Sequence, residues 1–285
     1  MIKISFKTML AYCCLVSGLL AAGCSSEARA RPGKTPKNLT LDLGKGVTMK
    51  LALIPAGKFM MGSPESQPGR DDDEGPVHKV TISKPFYMGV CGVTQAQWRA
   101  VMGTSPWEGK TDAKSAPDNA ASYISWDDAE AFCKALSKKC RRAVLLPSEA
   151  QREYACRAGS ATAYYFGDDP SKLGDYAWFR DNADKIGEKY AHPVGKKKPN
   201  AWGLHDMHGN VYEWCLDTYV KDFYAKSPGV DPVCTVKADV RVIRGGSWRW
   251  LKQHTRSANR VRNKHSYRHY DYGLRVIVKI DPGAK

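Results

Sequence analysis

The feature that most limits the possible folds is the stretch 161–239. It has neither helical nor strand periodicity, yet it is dense in aromatic side chains. A bare loop of that length is uncommon inside a compact domain, so side-chain packing or bound ions must order it. Fourteen tyrosines and eight tryptophans supply the apolar area for this and argue against disorder. No internal repeat occurs, which excludes a solenoid. Around this stretch, three helix starts carry a mechanism. Thr94 and Gln97 can form a capping box for a helix to about Met102, and Ser148 with Gln151 can open another that ends near Gly159. Ser125 can cap a helix from Trp126 to about Lys138, with Ala129, Phe132, Cys133 and Leu136 on one face. Residues 49–54 and 58–61 read as a hairpin turning at Pro55-Ala56-Gly57, and 77–82 alternates as a strand. The β-branched segments 240–244 and 274–280 read as partners late in the fold. Residues 46–282 thus form one domain with no second linker.

The first residues look like an export signal. Lys3 and Lys7 precede a short apolar run, and Leu20-Ala-Ala-Gly23 leads into Cys24, as in a lipobox. Residues 1–23 are then a leader, Cys24 is the lipidated new N-terminus, and 24–45 is a flexible tether rich in Ser, Lys, Pro and Gly. The expected location is the cell envelope, with the lipid as the contact to the membrane. Six cysteines follow Cys24, at 91, 133, 140, 156, 215 and 234. In an oxidising compartment an even number suggests disulfides, whose pairing the sequence leaves open. No CxxC pair marks a zinc site.

The chain is basic, with a formal charge of +15. The excess concentrates in 241–275, where Asp271 is the lone acid among ten Lys and Arg residues. Such a balance suits an anionic partner: an acidic or sulfated glycan, lipid headgroups or an acidic protein. Nucleic acid is not expected for an exported, anchored protein, and a monomer is.

Four strings carry the most information: 59–63 (FMMGS), 141–159 (RRAVLLPSEAQREYACRAG), 200–214 (NAWGLHDMHGNVYEW) and 241–248 (RVIRGGSW), followed by Arg256-Ser-Ala-Asn-Arg260 and Gly273-Leu-Arg275. In this order they resemble the formylglycine-generating enzyme family, also called the sulfatase-modifying factor domain. The resemblance covers the whole domain from about 47 to 280. It implies a single-domain α+β fold, a variant of the C-type-lectin-like fold with little regular secondary structure.

The resemblance also implies chemistry, and here the chain departs from it. The family oxidises a peptide cysteine to formylglycine at copper(I) held by two cysteines after the GGS string; soft thiolates suit that ion. In this sequence no cysteine follows Cys234. Trp250 stands at the first thiolate position, and the second region offers only polar residues such as His254 and Thr255. Copper is therefore not expected, no catalytic residue is assigned, and His254, His265 and His269 read as surface histidines. The iron of the family's sulfoxide synthases lies in a helical domain absent here. A periplasmic branch that acts in siderophore maturation also works without the cysteine pair.

Calcium is the expected ion. In the family the turn at Asp206, Gly209, Val211 and Glu213 wraps calcium with two side chains and two carbonyls, a hard-oxygen set. Arg244, Trp248, Trp250, Arg260 and Arg275 are the candidates for a ligand groove, while Asp71-Asp-Asp-Glu74 reads as a solvated loop. Two functions follow: a binding module that grips an anionic glycan or peptide, or a family oxidoreductase acting on a peptide substrate without the cysteine pair. A pocket with converging His, Glu or Tyr would favour the enzyme. A shallow groove of Trp and Arg would favour binding.

Overall fold

A computed structural model describes residues 36–280. The leader, Cys24 and the tether up to residue 35 lie outside the described residues.

The tether was expected to run to residue 45, but structure begins earlier. Asn38–Asp42 (β1) pairs antiparallel with Thr48–Ile54 (β2), and Leu41 and Leu43 are buried in the core. Alternation of Leu39, Leu41 and Leu43 supplies the apolar face of an edge strand. The expected hairpin between 49–54 and 58–61 does not form. β2 instead pairs with Phe86–Gly89 (β5), while Gly57–Met61 (β3) pairs with His78–Ile82 (β4) in a separate two-stranded sheet. Pro55 and Ala56 carry the chain between sheets. Gly57 is needed for close approach, since a Cβ there would sit 2.3 Å from the Tyr154 hydroxyl.

The helices follow their local signals. Gln95–Met102 (α1) and Glu149–Arg157 (α3) begin at the Thr94/Gln97 and Ser148/Gln151 capping boxes; Trp126–Cys140 (α2) begins at Ser125, with Asp128 as the reciprocal partner. Trp98 of α1 stacks on Phe132 of α2 at 5.2 Å. Both are buried in a cluster that includes Leu51, Leu146, Trp214 and Tyr272. Among the described residues, no helix is long and apolar enough to cross a membrane.

The remaining strands are Val144–Leu145 (β6), Tyr212–Thr218 (β7), Val240–Arg244 (β8), Val261–Lys264 (β9), Tyr272–Gly273 (β10) and Ile277–Lys279 (β11). A five-stranded sheet runs β1-β2-β5-β11-β6, and a four-stranded sheet runs β10-β7-β8-β9. The expected pairing of 240–244 with 274–280 is not made. β8 lies between β7 and β9, and β11 lies between β5 and β6. Both segments are β-branched and buried, so each suited an interior strand, and composition did not specify which.

The six cysteines are free thiols, against the expected disulfides. Cys133 and Cys140 lie two turns apart on one helix, roughly 10 Å along its axis at 1.5 Å per residue, beyond disulfide reach. Cys215 and Cys234 are buried as small apolar groups whose pKa burial raises, and Cys156 is buried beside His208. Mass spectrometry of the unfolded, alkylated domain should therefore detect six modified thiols with or without prior reduction.

Candidate functional site

The segment after β8 is held from below by buried ion pairs. Glu149 accepts from Arg244 (2.9 Å) and Arg260 (2.6 Å). Glu153 pairs with Arg244 and with Arg157 (2.9 Å), and Glu213 with Arg152 (2.6 Å) and Arg275 (2.9 Å). Glu74 pairs with Arg256 at 2.6 Å. Burial alone would raise the Glu149 pKa, but Arg260 and Arg244 outweigh it and hold the carboxyl below its usual range; Arg152 and Arg275 do the same for Glu213.

These contacts correct two expectations. Arg244 and Arg275 do not line a groove, because their charges are spent in the interior, and Trp248 is buried with them. Arg260, also paired inward with Glu149, does line a separate cavity of about 360 Å3 with Asp71, Lys221 and Arg262. Of the five groove candidates, Trp250 alone is exposed, at 41%. Nor is 71–74 a solvated loop. Asp73 and Glu74 are buried, and Glu74 takes two hydrogen bonds from Arg256 and one from Ser63.

Gly245 and Gly246 turn the chain out of β8 with φ of +103° and +76°. A Cβ on Gly246 would lie 2.8 Å from the Cα of Thr255, and one on Gly245 would lie 2.6 Å from the Arg152 guanidinium. Only glycine permits both the angles and the approach. Thr255, at the second thiolate region, is buried, and its carbonyl accepts from His208 Nδ1 at 2.7 Å. His208 Nε2 accepts from the Tyr165 backbone at 2.9 Å, so both ring nitrogens are satisfied in the neutral tautomer. The Cys156 thiol lies 3.8 Å from His208 Nδ1. Burial alone would raise its pKa, but His208, Arg152 and Ser257 outweigh it and hold the thiol down at about 6.

Above this floor, one buried carboxylate organises the surface. Asp271 is fully buried. Its Oδ2 accepts from Ser247 Oγ at 2.6 Å and from Trp250 Nε1 at 3.0 Å; its Oδ1 accepts from His269 Nδ1. The indole at the first thiolate position is thus tethered and cannot ligate a soft metal. His269 is not a free surface histidine as expected. Its Nδ1 is committed to Asp271, its ring is partly exposed, and Tyr267, Tyr270 and Tyr272 crowd it. His265 does behave as a surface group, paired with exposed Asp127 at 2.7 Å. His254 packs edge-on against Trp250. The signal for the Asp271 centre was present in the sequence as the lone acid among ten cations.

Beyond Trp250, the same segment walls a cavity of about 720 Å3. Pro64, Pro68, Ala161 and Tyr164 make it largely apolar, with Asp168 and Lys252 as its charged groups outside the buried ion pairs; Asp168 Oδ1 accepts from the Ala163 backbone at 2.8 Å. Its size suits a small ligand or a short chain segment; Tyr164 lines it with its hydroxyl committed to the Lys252 carbonyl at 3.0 Å, and no His or Glu joins it there.

The expected calcium turn is only partly suited to a cation. Asp206 is buried; Gly195 donates its backbone N–H to Oδ2 at 2.7 Å, and Oδ1 has no partner. Burial raises its pKa. An orphaned buried carboxylate oxygen fits a hard cation. Glu213 does not fit, because both its oxygens are bound by Arg152 and Arg275. Among the described residues no group of three or more His, Cys, Asp or Glu could hold a metal. Gly209 approaches closely instead: a Cβ there would meet the Trp178 carbonyl at 2.2 Å.

Residues 44–280 match the family described as sulfatase-modifying factor enzyme 1-like domain. A formylglycine-generating enzyme of Streptomyces coelicolor is 28% identical over 81% of this chain and 86% of its own length. An inactive C-alpha-formylglycine-generating enzyme 2 of Bos taurus is 27% identical over 73% of this chain and 79% of its own. The structure of PvdO from Pseudomonas aeruginosa matches with a TM-score of 0.77 at 31% identity, covering 87% of this chain and 100% of that one.

Proposed function

Because this chain belongs to the sulfatase-modifying factor family, we propose that it keeps the family's fold for binding and does not generate formylglycine by the copper–thiolate route. The observation that carries this reading is Trp250. Its indole occupies the first thiolate position and is tethered to Asp271, and Thr255, in the second thiolate region, is buried and fixed by His208. The partner is an anionic glycan or peptide. The interior supports that choice: it takes up eight acids and six arginines, so the surface is more basic than the composition states. The partner would meet the chain at the cell envelope, with Cys24 as lipid anchor.

The decisive experiment offers copper-loaded protein a Cys-X-Pro-X-Arg peptide and, separately, an array of acidic glycans. Binding without aldehyde is expected. Aldehyde above background would sink this reading. The oxidoreductase alternative draws on one observation, the partly exposed His269 held by a buried carboxylate, an arrangement suited to moving protons. Peptide oxidation that persists without copper and fails in His269→Gln would favour it.

Calcium remains part of the proposal in reduced form. Asp206 and the carbonyls of Gly209 and Val211 would hold the ion, and Glu213 would keep its arginines. Millimolar calcium should raise the melting temperature by a few degrees, roughly what a Kd near 0.1 mM gives. Asp206→Ala should abolish the rise. An equal rise in both proteins would place the ion elsewhere.

A further inference from the structure

Asp271 fixes two rings at the surface, those of Trp250 and His269, and is itself satisfied by these bonds. Trp250 is 41% exposed, Tyr267 45% and Leu251 36%. Large apolar groups left in water forgo burial energy. Met60, Val77, Ile186, Val230 and Val236 are exposed too, but their side chains carry no hydrogen-bonding N–H or O–H by which a buried group could fix them. Trp250 Nε1 is bonded to one oxygen of Asp271, and His269 Nδ1 to the other. Tyr267 stacks beside His269 with centroids 5.7 Å apart and planes 26° apart. The indole and imidazole are therefore oriented before any ligand arrives, which removes the ordering cost that a loose aromatic would incur.

We propose that this face is a platform for an acidic saccharide; the proposal rests on the binding reading above and names its site. A sugar ring offers what the arrangement takes. Its C–H face lies on the exposed indole, an aromatic surface that is apolar on its face and held at its edge. Its hydroxyls reach His269 Nε2, the ring nitrogen that Asp271 leaves free. Its carboxylate or sulfate meets the cations that rim the face. Arg249 lies over Tyr270 at 5.0 Å, Lys252 is exposed two residues after Trp250, and Arg180 donates its backbone N–H to the Trp250 carbonyl at 3.0 Å. None of these three side chains joins an ion pair among the described residues. A neutral sugar would use the stacking and leave this charge unanswered.

The test titrates the folded domain with an oligogalacturonate, a sulfated oligosaccharide, a neutral oligosaccharide of equal length and a Glu-rich peptide, read by tryptophan fluorescence and calorimetry. One or both acidic saccharides should bind, more weakly as salt rises, and the neutral one should bind at least tenfold more weakly. Trp250→Ala should lower the acidic saccharide's affinity about tenfold, the loss expected for a stacked aromatic, and Arg249→Gln should flatten the salt dependence. Both positions are exposed, so these variants should fold; an unchanged far-ultraviolet spectrum checks it. Undiminished affinity in Trp250→Ala overturns the platform. Binding of the peptide alone also overturns it and leaves the binding reading standing, as would saccharide binding that maps to the 720 Å3 cavity. Absence of binding by all four probes defeats the platform, whereas the aldehyde assay judges the binding reading separately.

Discussion

Glu149→Gln should destabilise the domain by about 3–5 kcal/mol, the cost of leaving buried charges without a partner. Glu149 lies at the start of α3, is buried, and accepts from Arg244 and from both Nε and Nη2 of Arg260. Glutamine keeps the shape but removes the charge that two guanidiniums share. Arg244 would retain Glu153; Arg260 would keep only carbonyl contacts with Asp73 and Lys221. The measurement is a urea midpoint with the slope held constant. Lys134→Ala serves as a contrast, because its pair with Glu130 is solvent-exposed and contributes about 0.5 kcal/mol at most. Equal losses would show that the buried pairs contribute no more than surface ones. Acid should reach a similar state by protonation. The folded pKa of Glu149 lies below the usual value. Its stabilisation is therefore complete above that usual value and is lost as pH falls through the folded pKa.

Gly246→Ala should be nearly as damaging. A left-handed angle costs a β-carbon-bearing residue about 1–2 kcal/mol, and the added methyl would press on the Thr255 backbone at 2.8 Å, an overpacking cost of about 1–3 kcal/mol. Gly103 separates the two terms. It has a similar φ of +70°, but nothing lies within 4 Å of its added Cβ, so Gly103→Ala should show the angular cost alone. If the two variants lose the same stability, the close approach of Gly246 to Thr255 is not a constraint.

What the sequence disclosed and what it hid divide along the range of the interaction. The capping boxes at Thr94, Ser125 and Ser148 are complete within four residues, so their helices were legible. Strand partners were not. Residues 49–54 and 58–61 lie close in sequence, yet they join different sheets because Pro55 and Gly57 redirect the chain toward α3. The arginines were misread for the same reason. Arg244, Arg260 and Arg275 look like a basic stripe until their carboxylates are found 62 to 111 residues away. The site was half legible: the loss of thiolates at Trp250 is plain in the letters, whereas the tether from its indole to Asp271 depends on how 247–250 folds back over 269–271.

The ion pairs also bear on the order of assembly. Glu149 and Glu213 emerge from synthesis well before Arg260 and Arg275, and Glu74 precedes Arg256 by 182 positions. An early fragment can pair Glu153 with Arg157, but Glu74 and Glu149 wait for arginines at 244 to 260. Contacts of such long range slow folding, and a chain lacking its last dozen residues would hold Glu213 against Arg152 alone. Completion of this domain is thus tied to the arrival of its C-terminal strand, so nascent chains stalled before Arg275 should remain open to proteases long after their helices have formed.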